Sequence, residues 1–380
     1  MSQNFNLVEI SKLAFKHNLG LFRKNLKPNT KLMTVVKSNA YGHGMIEMAR
    51  LAVEFGSDWL ATANLSEAIE LRNAKIKNPI LVLSYYALDE KDLRFAIKAN
   101  ISLVVYSEEQ IKFIDKLAKN LNKKAKIHIK VDTGTSRLGI LINQAFDFIK
   151  KTSHYKNIEI EGLFSHFAAS EENQKFTKYQ LAAFKKLIVK LNNAGINIAF
   201  KHFACSAAIM SQADSRFDMV RLGIAAYGLW PSTQAIKLAR HNFGKKFNLK
   251  PVLSLYTKIV QLKEVQKGTC IGYGCTKIVN QKTKLAILPV GYWEGFDRRL
   301  SNKAEVIIAG KRCSVLGRVC MNLIIVDVTK LKKIQVGEKV TLIGRDGKVE
   351  VTADEWAKHI GTINYEIITR INPLVKRIYV

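Results

Sequence analysis

The chain has 380 residues, 48% of them hydrophobic and 24% charged, with 22 Gly and 6 Pro. That length suits roughly two or three domains with a sizeable core, and the composition excludes collagen-like, low-complexity and disordered classes. A net charge of +29 raises nucleic acid as a partner, but the excess is mostly lysine scattered through helical stretches. With no basic tail, finger spacing or basic-plus-aromatic motif, only salt-sensitive sticking to polyanions is expected, and no specific nucleic acid.

The opening, MSQNFNLVEISKLAFKHN, is amphipathic and lacks an apolar signal core. No run reaches the roughly 18 apolar residues that span a bilayer, so the expected location is cytoplasmic with no membrane partner. From about residue 30 to 230, short apolar, β-branched runs alternate with helical patterns. The runs are KLMTVV, DWLATA, PILVLS, SLVVYS, KIHIKVD, IEIEGLFSHF, FKHFAC and the stretch around DMVRLG. Between most of them lie amphipathic segments such as SEAIELRNA, EEQIKFIDKLAKNL and TKYQLAAFKKLIVKLNNAG, the last ending on Gly195, a helix-stop signal.

Such alternation predicts βα units and a parallel sheet, and eight strands in about 200 residues suit a (β/α)8 barrel. A doubly wound open sheet usually places a Gly-rich phosphate turn after its first strand; here that position reads Lys37-Ser38-Asn39-Ala40-Tyr41-Gly42-His43-Gly44. The fold class is therefore α/β, a TIM-type barrel over residues 1–240. Residues 241–380 then read as a mostly β domain, with strand runs LSLYTKIVQLKEV, KLAILPVGY, AEVIIAGKRCSVLGRV, LIIVDVT and EKVTLIG and one helical segment around Thr352–His359. The junction is expected within Ser232–Phe247.

Five cysteines, Cys205, Cys270, Cys275, Cys313 and Cys320, are odd in number and argue against a disulfide framework. Neither close pair has the C-x2-C spacing of a zinc knuckle, and no metal is expected. Catalytic groups of a barrel sit at the carboxyl ends of its strands, where Lys37 lies. A lysine there is either a solvated amine or a desolvated one poised to form an imine with an aldehyde cofactor.

Lys37 with Asn39, Tyr41, His43 and two glycines closely resembles the cofactor-lysine signature of the alanine racemases, pyridoxal-phosphate enzymes built from a barrel and a β domain. The resemblance runs from NLVEISKLAFKHNL to INYEIITRINPLVKR, with separate motifs in the family's order. It implies an amino-acid racemase that interconverts L- and D-alanine and supplies D-alanine for peptidoglycan. Racemisation needs a base on each face of a planar carbanion, and the resemblance assigns these to Lys37 and to Tyr273 of Cys270-Ile271-Gly272-Tyr273-Gly274. A phenol near its free pKa of about 10 needs neighbouring positive charge or donors to act as a base at neutral pH; the matching helpers are His166 and Arg221.

The resemblance also sets Arg221 against the pyridine nitrogen of pyridoxal 5'-phosphate, where many cofactor enzymes hold a carboxylate. From residues alone, Arg221 reads equally as an ion-pair partner of Asp218. Phosphate contacts are implied for Tyr41, Ser206, Gly223, Ile224 and Tyr365. Arg137 and the backbone of Met321 match the substrate-carboxylate binders, Lys130 a lysine that is carbamylated in many relatives, and Tyr292 an entrance gate. Asn322 stands where the family usually has Asp, and Cys205 where Asn is frequent. Tyr273 is implied to reach the Lys37 site of the other subunit of a homodimer. A broad-specificity racemase, a decarboxylase on the same barrel and a non-catalytic cofactor carrier are the alternatives; a decarboxylase would need a carboxylate in place of Arg221, and a carrier lacks the β domain.

Overall fold

The computed structural model describes residues 5–380. The first strand, β1 (Leu7–Ile10), precedes the eight that close into a barrel: β2 (Lys31–Val35), β3 (Trp59–Asn64), β4 (Ile80–Tyr85), β5 (Ile101–Val105), β6 (Ala125–Asp132), β8 (Ile158–Phe164), β9 (Phe200–His202) and β10 (Met219–Leu222). The two-residue β7 (Ile140–Leu141) pairs only with the end of β6. Each of the eight apolar runs read from the sequence overlaps one barrel strand. The order is β5-β4-β3-β2-β10-β9-β8-β6, all parallel, and pairing of β5 with β6 completes the closure. Parallel strands covered by helices are buried on both faces, which is why β5 and β10 are buried at every residue.

Four of the connecting helices begin where a short polar side chain takes up a free backbone N–H. Asn64, Asp89, Ser107 and Asn173 each accept from the residue three positions on, and such caps are worth about 1 kcal/mol each. The helix Gln174–Asn193 stops before Gly195, whose φ of +75° is the left-handed value a helix stop requires.

The second unit is a sheet built from β11 (Leu253–Lys258), β12 (Gln261–Val265), β13 (Thr283–Leu288), β14 (Glu305–Ile308), β15 (Lys311–Leu316), β16 (Ile324–Asp327), β17 (Lys339–Asp346), β18 (Val349–Val351) and β19 (Lys376–Tyr379). Its order is β12-β13-β16-β15-β14-β17-β11-β1-β19, with β18 on β17. The helix expected near Thr352–His359 spans Ala353–Ile360, and a second short one covers Asn364–Thr369.

The division of the chain differs from a single break near residue 240. Among the described residues, one unit comprises residues 5–14, Tyr41–Gly44 and Pro251–Val380; the other comprises Phe15–Ala40 and Met45–Lys250. The reason for the first difference is pairing: β1 lies antiparallel to β11 (Val8 opposite Leu255) and parallel to β19 (Val8 opposite Arg377). The stretch Ser232–Phe247, expected as the junction, is mostly the helix Thr233–Phe243, capped by Ser232, with Ala235 and Ala239 buried one turn apart. Asn242 Nδ2 ties that helix to Met210 O at 2.8 Å, so it belongs to the barrel unit.

Candidate active site

Lys37 follows β2 and opens a turn in which Ser38, Asn39, Ala40 and Tyr41 all have φ between 52° and 54°. A left-handed turn costs L-residues about 1–2 kcal/mol each and persists only where surroundings enforce it. Glu67 does so in the barrel unit: Oε1 accepts from Ser38 N at 2.7 Å and Oε2 from Ala63 N at 2.8 Å. Asn39 Oδ1 accepts from Met45 N at 2.9 Å. Glu67 was not among the residues singled out from sequence, because an acid in SEAIELRNA reads as helix surface.

The carboxyl ends of β2, β6, β8 and β10 bring Lys37, Lys130, Arg137, His166 and Arg221 into electrostatic contact. Burial lowers the Lys37 amine, Arg137 lowers it further and Glu67 opposes them. Lys130 is pushed down to about 8 by burial and then by Arg137, Arg221 and Lys37, with Asp132 opposing. Among the described residues, none of Lys37, Lys130, Arg137 and Arg221 has an ion-pair partner. Asp132 Oδ1 is instead consumed by the backbone, accepting from Gly134 N and Thr135 N at 2.8 Å and Ser136 N at 3.3 Å, which shapes the loop carrying Arg137.

Arg221 is 4% exposed. Asp218 does not pair with it: Asp218 Oδ2 accepts from Lys201 N at 2.9 Å and lies 3.0 Å from Lys201 Nζ. Arg221 Nη1 donates to His202 Nδ1 at 2.8 Å and His202 O at 3.1 Å. Nη2 donates to Ser165 O at 2.7 Å, Phe203 O at 3.0 Å and His166 Nδ1 at 3.2 Å. Only Nε is left without an acceptor among the described residues. Burial and the surrounding cations, Arg221 foremost, hold His166 well below its ordinary range. Since a guanidinium only donates, neutral His166 accepts at Nδ1 and carries its proton on Nε2.

Ser206 follows β9 and its Oγ accepts from Gly223 N at 2.9 Å and Ala225 N at 3.4 Å, which ties the Ser206 hydroxyl to the backbone on either side of Ile224. Cys205, at the start of the Ser206–Ser211 helix, makes no side-chain cap.

The remaining residues lie in the β unit. The Tyr41 and Tyr365 rings are 6.2 Å apart. Arg377 Nε donates to Gly42 O at 3.1 Å, and a Cβ on Gly42 would come within 2.2 Å of Ile368 O, which excludes any other residue there. Tyr273, Tyr292 and Met321 line one cavity of about 460 Å³ with Arg318, Cys320 and Asn322. Tyr273 is 73% exposed on a loop whose flanking glycines have φ of 69° and 72°. Arg318, also missed from sequence, sets its guanidinium so close to Gly274 that a Cβ there would come within 2.9 Å of it. Asn322 Nδ2 donates to Glu294 Oε1 at 2.8 Å; an aspartate there would face that carboxylate with no proton to share, which gives the Asn a physical reason.

The sequence matches two family models in order, the alanine racemase N-terminal domain over residues 10–231 and the alanine racemase C-terminal domain over residues 252–379. An alanine racemase of Methanococcus maripaludis is 41% identical over 373 residues, covering 98% of this chain and 97% of its own. The solved alanine racemase of Clostridium difficile 630 superposes with a TM-score of 0.91 at 37% identity, over 99% of this chain and 96% of that one. That of Bacillus anthracis, solved with bound L-Ala-P, gives 0.92 at 34%, over 100% and 96%. Both family domains across nearly the whole chain, on a barrel whose strand ends gather the expected cations, place this protein in the alanine racemase family, isomerases that invert the α-carbon of an amino acid.

Proposed function

We propose that the chain interconverts L- and D-alanine by a two-base mechanism with pyridoxal 5'-phosphate as cofactor, and supplies D-alanine for peptidoglycan in the cytoplasm, a compartment that suits its five unpaired cysteines. The observation that carries this reading is four cationic side chains at the barrel mouth with no carboxylate paired to any of them. Such a site is completed by an anionic ligand. The residues of the barrel unit fit the cofactor: Lys37 would hold it by its amine, Arg221 Nε would donate to a ring nitrogen, and the Ser206 hydroxyl beside the Gly223–Ile224 backbone suits a phosphate; Tyr41 and Tyr365 are proposed as further phosphate contacts. When bound, pyridoxal phosphate supplies the electron sink that acidifies the α-proton of the amino acid.

The chain's own groups do the rest. Burial and Arg137 shift Lys37 toward the free amine, the form able to take or return a proton on one face of the α-carbon. Tyr273 serves the opposite face. Arg221 cannot accept a proton near neutrality, so it would offer only its Nε–H to the ring nitrogen of a bound cofactor, an arrangement that would favour return of the proton to the α-carbon over transamination. Arg137 and the Met321 N–H, which has no acceptor among the described residues, bind the substrate carboxylate. Lys130, neutral in part at pH 8, is suited to carbamylation by carbon dioxide, which would turn a repelling neighbour of Arg137 into an attracting one. Tyr292 narrows the entrance in favour of small side chains.

Tyr273 is supplied to the Lys37 site of the other subunit of a homodimer. Its support is the exposed loop itself, set among exposed Ile278, Trp293, Met321 and Leu323, an apolar surface of the kind that marks interfaces. The deciding experiment incubates purified chain with pyridoxal phosphate and L-alanine in heavy water, following α-proton exchange by NMR and D-alanine by chiral assay. Exchange with D-alanine formation is expected. Exchange with retained configuration would refute the second base, and no exchange would refute the function.

A further inference from the structure

The nitrogens of Arg221 lead to a chain of buried side chains that the reaction as described does not use. His202 Nδ1 faces Arg221 Nη1 at 2.8 Å, His202 Nε2 faces His128 Nδ1 at 2.9 Å, and His128 Nε2 faces Glu161 Oε2 at 3.3 Å. Beyond it, Ser102 Oγ donates to Glu161 Oε2 at 2.5 Å and Lys126 Nζ to Glu161 Oε1 at 2.9 Å. His128 and His202 are fully buried and Glu161 nearly so. Ser102, Lys126 and Glu161 line a cavity of about 530 Å³ at the amino ends of the strands, so the chain crosses the barrel from the candidate site to its opposite end.

Donor and acceptor chemistry leaves one proton arrangement. A guanidinium has no acceptor, so His202 accepts at Nδ1 and, being neutral, carries its proton on Nε2. That proton is donated to His128 Nδ1, which places the His128 proton on Nε2, directed at the carboxylate. Both rings are held neutral, burial being the main cause for each. Burial works against the Glu161 anion, but hydrogen bonds from His128, Ser102 and Lys126 outweigh it and bring the group down to about 2. Each imidazole thus presents its lone pair to the Arg221 cation and its N–H to the Glu161 anion. The dipoles align, and two buried opposite charges stabilise each other without touching.

The backbone is built around this chain. Between β6 and β8 the register slips: Ile127 lies opposite Ile160 but His128 opposite Gly162, leaving Glu161 unpaired in a bulge. Bulges re-aim side chains, and this one turns an acid from an alternating IEIEG run toward the interior. Gly162 has no Cβ because one would stand 2.1 Å from His128 Nδ1. The His202 ring stacks on Phe164 at 4.7 Å between centroids and 7°.

We propose that Glu161 is a positioning residue for Arg221, acting through His128 and His202 by fixing their tautomers so that Nη1 and Nη2 stay occupied and Nε stays directed at the ligand. Without the carboxylate, the His128 proton has no fixed acceptor. Both rings can then take the reverse tautomer, in which His202 Nδ1–H faces the Nη1–H of Arg221, donor against donor, and the guanidinium is displaced. The inference rests on the reading of Arg221 as a site residue, but its main test does not depend on activity.

The full chain, labelled with 15N-histidine and free of added cofactor, is observed by ring-nitrogen NMR at pH 7.5. The wild type is expected to show His128 and His202 as neutral Nε2–H tautomers. In a folded Glu161→Gln variant both signals move to averaged values, while Lys126→Met, which leaves the His128–Glu161 bond in place, keeps the wild-type pattern. With pyridoxal phosphate and alanine added, Glu161→Gln is expected to lower kcat about tenfold with KM within about twofold, since a misplaced group costs transition-state more than ground-state contact. Unchanged tautomers in Glu161→Gln overturn the proposal. If that variant does not fold, Glu161→Asp, whose shorter side chain withdraws the carboxylate from His128 Nε2, is read in its place with the same expected change, and a His202 proton on Nδ1 in the wild type overturns the proposal outright. An inactive wild type with the expected tautomers would refute the racemase reading and uphold the chain from Glu161 to Arg221; an active wild type with His202 protonated on Nδ1 would do the reverse.

Discussion

Lys130 shows how much one buried amine can alter the molecule's response to pH. Its ordinary pKa of 10.5 falls to about 8 in the folded chain, so the unfolded chain binds the proton more tightly. Below pH 8 both states are protonated and the cost of burying the charge is fully present, about 3 kcal/mol for a shift of this size. Between pH 8 and 10.5 the folded state sheds its proton first, and stability attributable to this residue rises with pH. In bicarbonate-free buffer, Lys130→Met is therefore expected to raise the unfolding free energy by about 2–3 kcal/mol at pH 7. The gain should fade toward pH 10.5, which urea titrations at the two pH values would read directly; equal gains at both would contradict the burial of a charged amine. Two other residue-scale features, the Glu67 clamp on the left-handed turn and the Asn322–Glu294 bond, act through acceptors far away in sequence. Neither is visible in the motif that surrounds it.

At the scale of elements, the strands of the barrel were legible because each is a short apolar run bounded by helical pattern, and burial on both faces leaves little room for another reading. The bulge in β8 was not. In IEIEGLFSHF the acids at 159 and 161 alternate with apolar residues and read as one outward face; only the pairing with β6 separates exposed Glu159 from buried Glu161. Gly162 is the local sign of that change. Gly162→Ala is expected to destabilise the chain by about 2–3 kcal/mol, because its Cβ must displace the His128 ring or the strand behind it. Urea unfolding should show a lower midpoint with an unchanged slope. The left-handed turn after Lys37 was hidden for a similar reason: of its residues only Asn39 is of a type that visits that region readily, and Ser38 and Ala40 are held there by a conformation that hydrogen bonds to Glu67 and from Met45 fix.

At the scale of the whole molecule, the proposal of a site shared between subunits has a consequence that single variants cannot imitate. Lys37→Ala and Tyr273→Phe should each be nearly inactive. Mixed and allowed to exchange subunits, half the dimers are hybrids, and one of the two sites in each hybrid has both residues intact. Activity should return to about a quarter of the wild-type value, as symmetry of a shared two-site dimer requires. No recovery after verified exchange would mean that Lys37 and Tyr273 act within one subunit. What the sequence by itself determined was the α/β class, the eight strand positions, the β character of the second unit and the residues of the motifs, because periodicity and local spacing are properties of neighbouring residues. Tertiary structure decided which strand joins which sheet, as with β1, whose partners lie some two hundred and fifty to three hundred and seventy residues away. It also decided that Arg221 is held by carbonyls and histidines instead of Asp218, and that Glu161 points inward. Those outcomes depend on which groups meet across the barrel, and hydrogen-bond satisfaction among buried groups is settled only when they do.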